Sequence, residues 1–271
     1  MKKALAEDIG NGDVSAELVS AVQKSKAEVI TRQPMILAGQ EWFNQSFLLL
    51  DPNVDITWVY QDGDYIPENK VICYITSNSR ILLSGERTAL NFLQMLSAVA
   101  TKTYSYVQKT SSNTRILDSR KTLPNLRKAQ KYAVCCGGGV NHRFGLYDAF
   151  LIKENHIKAC GSINQAIKTA KNNHPELLLE IEVETLNELE QALIPGVDRI
   201  MLDNFSIDMI EQAMLIRGDK NIQLEASGNV NLTTITSIAD TGVDYISIGD
   251  LTKSIEAIDL SLLVKKVWVN E

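Results

Sequence analysis

Leu177–Asn204 reads LLLEIEVETLNELEQALIPGVDRIMLDN. Leu177–Val183 is an apolar, strand-like run, Leu186–Leu193 has apolar residues at helical spacing, and Asp198–Leu202 is a second strand-like run. Two strands joined by a helix and short loops are the signature of a parallel sheet. The rhythm extends both ways. Strand-like runs recur at Arg115–Asp118, Asp148–Lys153, Ile222–Ala226 and Val243–Ile248. Helix-like segments recur at Leu123–Val134, Ser162–Asn172, Ile207–Ile216 and Leu232–Asp240. The units number six, short of the eight of a closed barrel, which leaves an incomplete β/α barrel or a doubly wound open sheet. Polar residues gathered where the strands end favour the barrel, whose strand ends converge on one face. They are Ser119, Arg120 and Lys121, then Lys153, Glu182, Asp203, Ser227-Gly228 and Gly249-Asp250.

The first third of the chain has a different texture. Ala27–Thr31, Ile56–Tyr60 and Val71–Thr76 read as strands, separated by Asp51-Pro52-Asn53 and Asp62-Gly63-Asp64 turns. Glu86–Val107 then carries Ala89, Leu90, Leu93, Leu96, Val99 and Ala100 at helical spacing, the pattern of a long helix linking two domains.

The 271 residues, 45% hydrophobic, suffice for one large α/β barrel or two smaller domains. A net charge of −6 makes a poor non-specific nucleic-acid binder. It does not exclude a basic cleft. The apolar run Phe47–Leu50 is far short of the roughly 20 residues of a membrane helix. Charge returns at Glu7 before an apolar signal-peptide core forms. The cysteines (Cys73, Cys135, Cys136 and Cys160) form no CxxC pair and the three histidines no HExxH motif. A reduced, cytoplasmic protein without a zinc site is the expectation.

Chemistry concentrates in Asp118–Ile157, DSRKTLPNLRKAQKYAVCCGGGVNHRFGLYDAFLIKENHI. Arg120-Lys121 closes one strand, Gly137-Gly138-Gly139 lets backbone approach a ligand, and Asn141-His142-Arg143 adds a guanidinium fork. Lys153 ends an apolar strand. As a group they imply a small, strongly anionic ligand. Lys153 alone also reads as a snorkelling side chain or a Schiff-base nucleophile. Glu182 and Asp203 suit ribose hydroxyls or a hard cation such as Mg²⁺, or else pair with nearby cations. The Ser227-Gly228-Asn229 and Ser247-Ile248-Gly249 turns have the composition of late phosphate-binding loops.

With ALAEDIGNGD (Ala4–Asp13), GERTALNFLQMLSAVAT (Gly85–Thr101), LDN (Leu202–Asn204) and ASGN (Ala226–Asn229), these motifs make the chain resemble the quinolinate phosphoribosyltransferase family. The resemblance implies an N-terminal α/β sandwich domain over 1–100 and an incomplete β/α barrel over 101–271, a last helix packing back on the first domain. It implies phosphoribosyl transfer from phosphoribosyl pyrophosphate to quinolinate with loss of CO₂, in NAD synthesis. It also implies a homodimer in which Arg87 reaches the partner's active site. Ser119, Arg120, Lys121, His142, Arg143 and Lys153 would line the quinolinate pocket. Glu182 and Asp203 would hold the ribose and its Mg²⁺ and, with Lys153, form the catalytic set. Ser227, Gly228 and Gly249 would lie at the 5′-phosphate, with Asn229, Ser247 and Ile248 among the substrate-binding residues. The family usually has Thr at Ser119, Gly at Asn125 and Asp at Glu154. The alternatives are a Schiff-base lyase working through Lys153, or a non-catalytic anion binder like the related molybdenum-transport proteins.

Overall fold

The computed structural model describes residues 1–110 and 113–269. It divides into two compact units, and the division falls inside two of the helices. The first unit comprises Met1–Lys102, Tyr132–Gly138 and the C-terminal segment from Ser254. Its elements are α1 (Lys2–Ile9), β1 (Gln23–Thr31), β2 (Met35–Ile36), α2 (Gln40–Leu48), β3 (Asp55–Trp58), β4 (Tyr65–Ile66), β5 (Val71–Asn78) and most of α3 (Ser79–Val107). Alternating burial along β1 and β5 gives the sheet one apolar face, where Val29, Cys73 and Ile75 join Phe43, Phe47, Leu82, Leu90 and Leu93 in the core. Gly85 sits inside α3 although glycine weakens a helix. A Cβ there would lie 2.7 Å from the Phe47 ring, so the contact between α2 and α3 requires it.

The second unit comprises Thr103–Lys131 and Gly139–Lys253. Its strands are β6 (Arg115–Leu117), β7 (Phe150–Ile152), β8 (Leu179–Val183), β9 (Arg199–Asp203), β10 (Gln223–Ser227) and β11 (Tyr245–Ser247). The helices are α4 (Arg127–Cys136, whose end belongs to the first unit), α5 (Glu154–Cys160), α6 (Ile163–Asn173), α7 (Leu186–Ala192), α8 (Ile207–Arg217), α9 (Ile235–Asp240) and α10 (Asp250–Lys253). Ser162 and Ser206 cap α6 and α8, and Thr185 forms a reciprocal capping box with Glu188 on α7.

The six strands run parallel in the order β6-β11-β10-β9-β8-β7. Neighbours in sequence are neighbours in space, and the first strand pairs with the last. That is the cyclic order of a barrel opened at one seam, between β6 and β7. A doubly wound sheet would reverse direction from an interior strand. On the free edge of β6, Val140 N donates to Ile116 O at 2.8 Å and Asp118 N to Val140 O at 3.2 Å. The Gly137–Asn141 loop therefore covers an edge that would otherwise carry unpaired backbone groups.

The C-terminal element, β12 (Leu260–Val269), is a strand where the sequence reading placed a helix. It pairs antiparallel with β1, from Thr31↔Leu260 to Gln23↔Val269, so that the first sheet runs β12-β1-β5-β3. LSLLVKKVWV is rich in branched and aromatic residues, and β1 supplies an edge that turns this preference into a ladder. Asn125, at one departure from the family pattern, has φ 63°. Asparagine tolerates this left-handed conformation best after glycine, which explains the exchange.

Candidate active site

A cavity of about 700 Å³ opens at the C-terminal ends of the parallel strands. Strand alternation decides what enters it. Leu151 comes from β7 and Lys153 directly follows it, Glu182 comes from β8, Met201 and Asp203 from β9, Ser227 from β10 and Ser247 from β11, with a period of two along a strand. Ser119, Arg120 and Lys121 enter from the loop after β6, and His142 and Arg143 from the loop that covers its edge. Gly228 and Asn229 follow β10, and Ile248 and Gly249 follow β11. α10 starts directly after Gly249, whereas α9 begins only at Ile235. Arg87 is not in the lining: it is exposed on α3 in the first unit, and Asn141 and the Gly137-Gly138-Gly139 run also lie outside it.

The upper ring of the cavity carries both signs. Lys153 Nζ pairs with Glu182 Oε2, the lysine side chain 46% and the glutamate 13% exposed, so the cation is anchored yet reachable. Burial pushes the Asp203 carboxyl above its ordinary range, and the neighbouring Glu182 charge pushes the same way against Lys153 and Lys121. Burial first, then the nearby Arg120 charge, disfavours the Arg143 cation. Two guanidiniums close enough to feel each other favour an anion bound between them. The Nε atoms of both are buried without an acceptor among the described residues.

The loop backbone is held from behind. Asp118, fully buried, pairs with Lys131 Nζ, and both side chains are inaccessible to solvent. Burial raises Asp118 to about 6 despite the opposing lysine, and burial likewise lowers Lys131. Each charge is costly alone in that setting, so each depends on the other. Asp118 Oδ1 also accepts His142 N at 2.9 Å, and Lys131 Nζ donates to His142 O at 2.8 Å. At the end of β9 and β10, Asn204 N donates to Ser227 O at 2.8 Å. A Cβ on Gly228, at φ +99°, would lie 3.0 Å from Asn204 N, so only glycine lets these two loops approach.

The sequence reading missed a layer beneath the ring. Glu180 and Glu225 are buried, His142 Nε2 lies 2.8 Å from Glu180 Oε2, and Arg199 Nη1 donates to Glu225 Oε2 at 3.2 Å. The Arg199 guanidinium also stacks 4.0 Å over the Tyr245 ring. The signal was present in LEIEV: if Glu182 points inward, Glu180 two residues earlier shares its face. Glu225 stands in the same relation to Ser227.

Family models describe this architecture. Residues 13–97 match the quinolinate phosphoribosyl transferase N-terminal domain, and residues 99–263 match its C-terminal domain. The chain belongs to the quinolinate phosphoribosyltransferase family. It is 41% identical over 258 residues to a probable nicotinate-nucleotide pyrophosphorylase (carboxylating) of Bacillus subtilis, covering 94% of this chain and 89% of the relative. The solved nicotinate-nucleotide pyrophosphorylase of Francisella tularensis superposes with a TM-score of 0.95 at 49% identity, covering 97% of this chain and 94% of the other. NadC from Streptococcus pyogenes superposes at 0.94 with 39% identity, covering 100% and 95%. The expected mixed α/β fold agrees with this likeness: the first unit carries an antiparallel sheet and the second a parallel one.

Proposed function

We infer that this chain transfers the phosphoribosyl group of phosphoribosyl pyrophosphate to quinolinate, releasing pyrophosphate and CO₂ and forming nicotinate mononucleotide for NAD synthesis. One observation carries the reading, given the family. Arg120, Lys121, Arg143 and Lys153 share a cavity with Glu182 and Asp203 in a chain of net charge −6. Quinolinate brings two adjacent carboxylates, and guanidiniums pair with carboxylates bidentately. Arg120, Lys121, Arg143 and Lys153 would orient that dianion, with His142 in the cavity wall beside them.

The pyridine nitrogen attacks ribose C1 as the C1–O bond to pyrophosphate breaks, and that bond's electron pair leaves with the pyrophosphate. C1 acquires oxocarbenium character, which the Glu182 and Asp203 carboxylates stabilise electrostatically. The ring nitrogen becomes cationic and stabilises the electron pair left on C2 when the C2 carboxylate departs as CO₂. A proton then fills C2. Lys153 serves as a charge anchor, since quinolinate has no aldehyde or ketone to form a Schiff base. Ser119 sits with the cations, and the Ser227-Gly228-Asn229 and Ser247-Ile248-Gly249 loops would receive the 5′-phosphate.

Glu182 and Asp203 fit Mg²⁺: both are hard oxygen donors, and Asp203 is disfavoured as an anion by burial and then by the Glu182 charge, a situation a cation relieves. Bound there, Mg²⁺ would shield the pyrophosphate charge. A homodimer with Arg87 completing the partner's site is supported by the exposure of Arg87 and of the apolar side chains Val14, Leu18 and Val22. Four free cysteines fit a reducing cytoplasm.

Turnover of purified protein with Mg²⁺, phosphoribosyl pyrophosphate and either quinolinate or nicotinate tests the reading. Mononucleotide and CO₂ from quinolinate alone, lost in Arg120→Ala, is the expected result. Binding of quinolinate by a well-folded protein without turnover would sink it. A mixture of two inactive variants, Arg87→Ala and Arg120→Ala, should regain activity by forming hybrid dimers with one intact site.

A further inference from the structure

We propose that Arg127 is a positioning residue for quinolinate: its guanidinium ties the loop that carries Arg120 to the loop that carries Arg143, and so sets the spacing of those two cations. This deepens the quinolinate reading above and rests on it. Arg127 opens α4 and lies outside the cavity lining. Its Nε donates to Thr122 Oγ1 at 3.1 Å, Nη1 to Phe144 O at 3.0 Å and Nη2 to Arg120 O at 3.4 Å. Two of these oxygens belong to the segment after β6, and the third directly follows Arg143 in the loop before β7. All three are uncharged. With such partners an arginine supplies geometry rather than a salt bridge, and its planar fork of donors is suited to spanning several acceptors at once.

Arg127, Gln130 and Lys131 stand at helical spacings of three and four on α4, so they share one face. Each reaches a different part of the mouth. Gln130 is fully buried, Leu123 N donates to its Oε1 at 2.8 Å, and its Nε2 donates to Thr252 O at 2.9 Å. Thr252 Oγ1 in turn donates to Lys121 O at 2.8 Å. Lys131 Nζ holds His142 O. The segment 119–123 is therefore tied twice, to α10 through Gln130 and Thr252 and to the Arg143 loop through Arg127. Beyond Arg143, Phe144 N donates to Asp148 Oδ2 at 2.7 Å, so that loop is fixed on its own far side as well.

Quinolinate carries its carboxylates on adjacent ring carbons, so the cations that meet them must keep a set separation. Burial and then the Arg120 charge disfavour the Arg143 cation, and the two side chains repel one another while the pocket is empty. Untied loops would relax apart under that repulsion. Arg127 removes this freedom, because it joins the backbone of Arg120 itself to the residue after Arg143. Displacements of an ångström cost much of the benefit of orientation, and a ligand with two charges to place suffers most from them.

The test uses variants outside the cavity. Arg127→Ala removes all three hydrogen bonds, Thr122→Val removes only the acceptor of Nε, and Thr122→Ser keeps that acceptor. Quinolinate binding, measured by titration calorimetry on the whole chain, should weaken about thirtyfold in Arg127→Ala and about fivefold in Thr122→Val, and stay within about twofold of wild type in Thr122→Ser. Arg127→Ala combined with Thr122→Val should bind no more weakly than Arg127→Ala alone, since both changes break one contact. In turnover the KM for quinolinate should rise in the same order, while the KM for phosphoribosyl pyrophosphate stays within about twofold, because Gln130 and Thr252 still hold their side of the segment. Unchanged quinolinate affinity in a folded Arg127→Ala, or an equal rise in both KM values, would overturn the proposal. Should Arg127→Ala fail to fold, the threonine variants decide: equal affinity in the valine and serine forms refutes the tie. A wild type that binds quinolinate without turning it over would overturn the functional reading alone, and one that does not bind it would overturn both.

Discussion

Glu182 and Glu180 stand on the same face of β8, one layer apart, and the barrel gives them different work. Glu182 lies at the mouth, paired with a half-exposed Lys153 and beside Asp203. Glu180 lies in the interior with His142, Glu225 and Arg199. Burial raises Glu180, and it raises Glu225 to about 8 with the Glu180 charge as the second cause. The interior of a β/α barrel is usually filled by branched apolar layers. Here ionisable side chains occupy that place, and burial pushes the glutamates towards their neutral forms.

The comparison breaks hardest at the buried support. Lys131→Met leaves Asp118 an unpaired buried carboxylate, and should cost about 3–5 kcal/mol and lower the melting temperature by on the order of 10 °C. Thermal unfolding measures it, and a small shift would mean that the pair is not essential to the loop. At the mouth the penalty should fall on catalysis. Arg143→Ala should lower kcat/KM for quinolinate by about 10²- to 10³-fold with the melting temperature nearly kept. A large loss of stability in that variant would blur the distinction between layers.

Asp203→Asn should raise the Mg²⁺ concentration needed for half-maximal rate about tenfold, read from metal titrations at saturating substrate. Glu225→Gln sharpens the electrostatics of the interior. A carboxyl whose folded-state value is raised contributes stability below its unfolded value, lost as pH rises through the folded one. Wild type should therefore lose melting temperature relative to Glu225→Gln between about pH 5 and pH 9, bracketing the value near 8. A constant difference would show that Glu225 stays ionised throughout. The least effect belongs to the exposed pair of Glu154 and Lys158 on α5. Glu154→Gln should leave both turnover and melting unmoved, because solvent screens such pairs.

Much of this was legible before any coordinates. The six strand-like runs all became strands, because their apolar content and flanking turns allow little else. The cations of the Asp118–Lys153 block and the two mouth carboxylates were visible as polar residues closing apolar runs. Glu180, Glu225 and Arg199 were not. On one strand an alternating glutamate looks the same whether it faces water or the barrel axis, and only the parity with Glu182 distinguishes the two. Asp118 was quoted within its motif, but its partner Lys131 lies on a helix, where a lysine ordinarily reads as a solvated face.

By itself the sequence determined the strand and helix periods, the glycines at crowded points such as Gly85 and Gly228, and the chemical character of the mouth. These are local properties, set by side-chain type and spacing. Tertiary structure alone decided that the six-stranded sheet closes β6 onto β11, that Leu260–Val269 becomes a strand on the edge of β1, and that Glu180, Glu225 and Arg199 gather beneath His142. Each depends on which distant segment supplies a hydrogen-bonding edge or an opposite charge, and a residue's own chain neighbourhood carries no record of that.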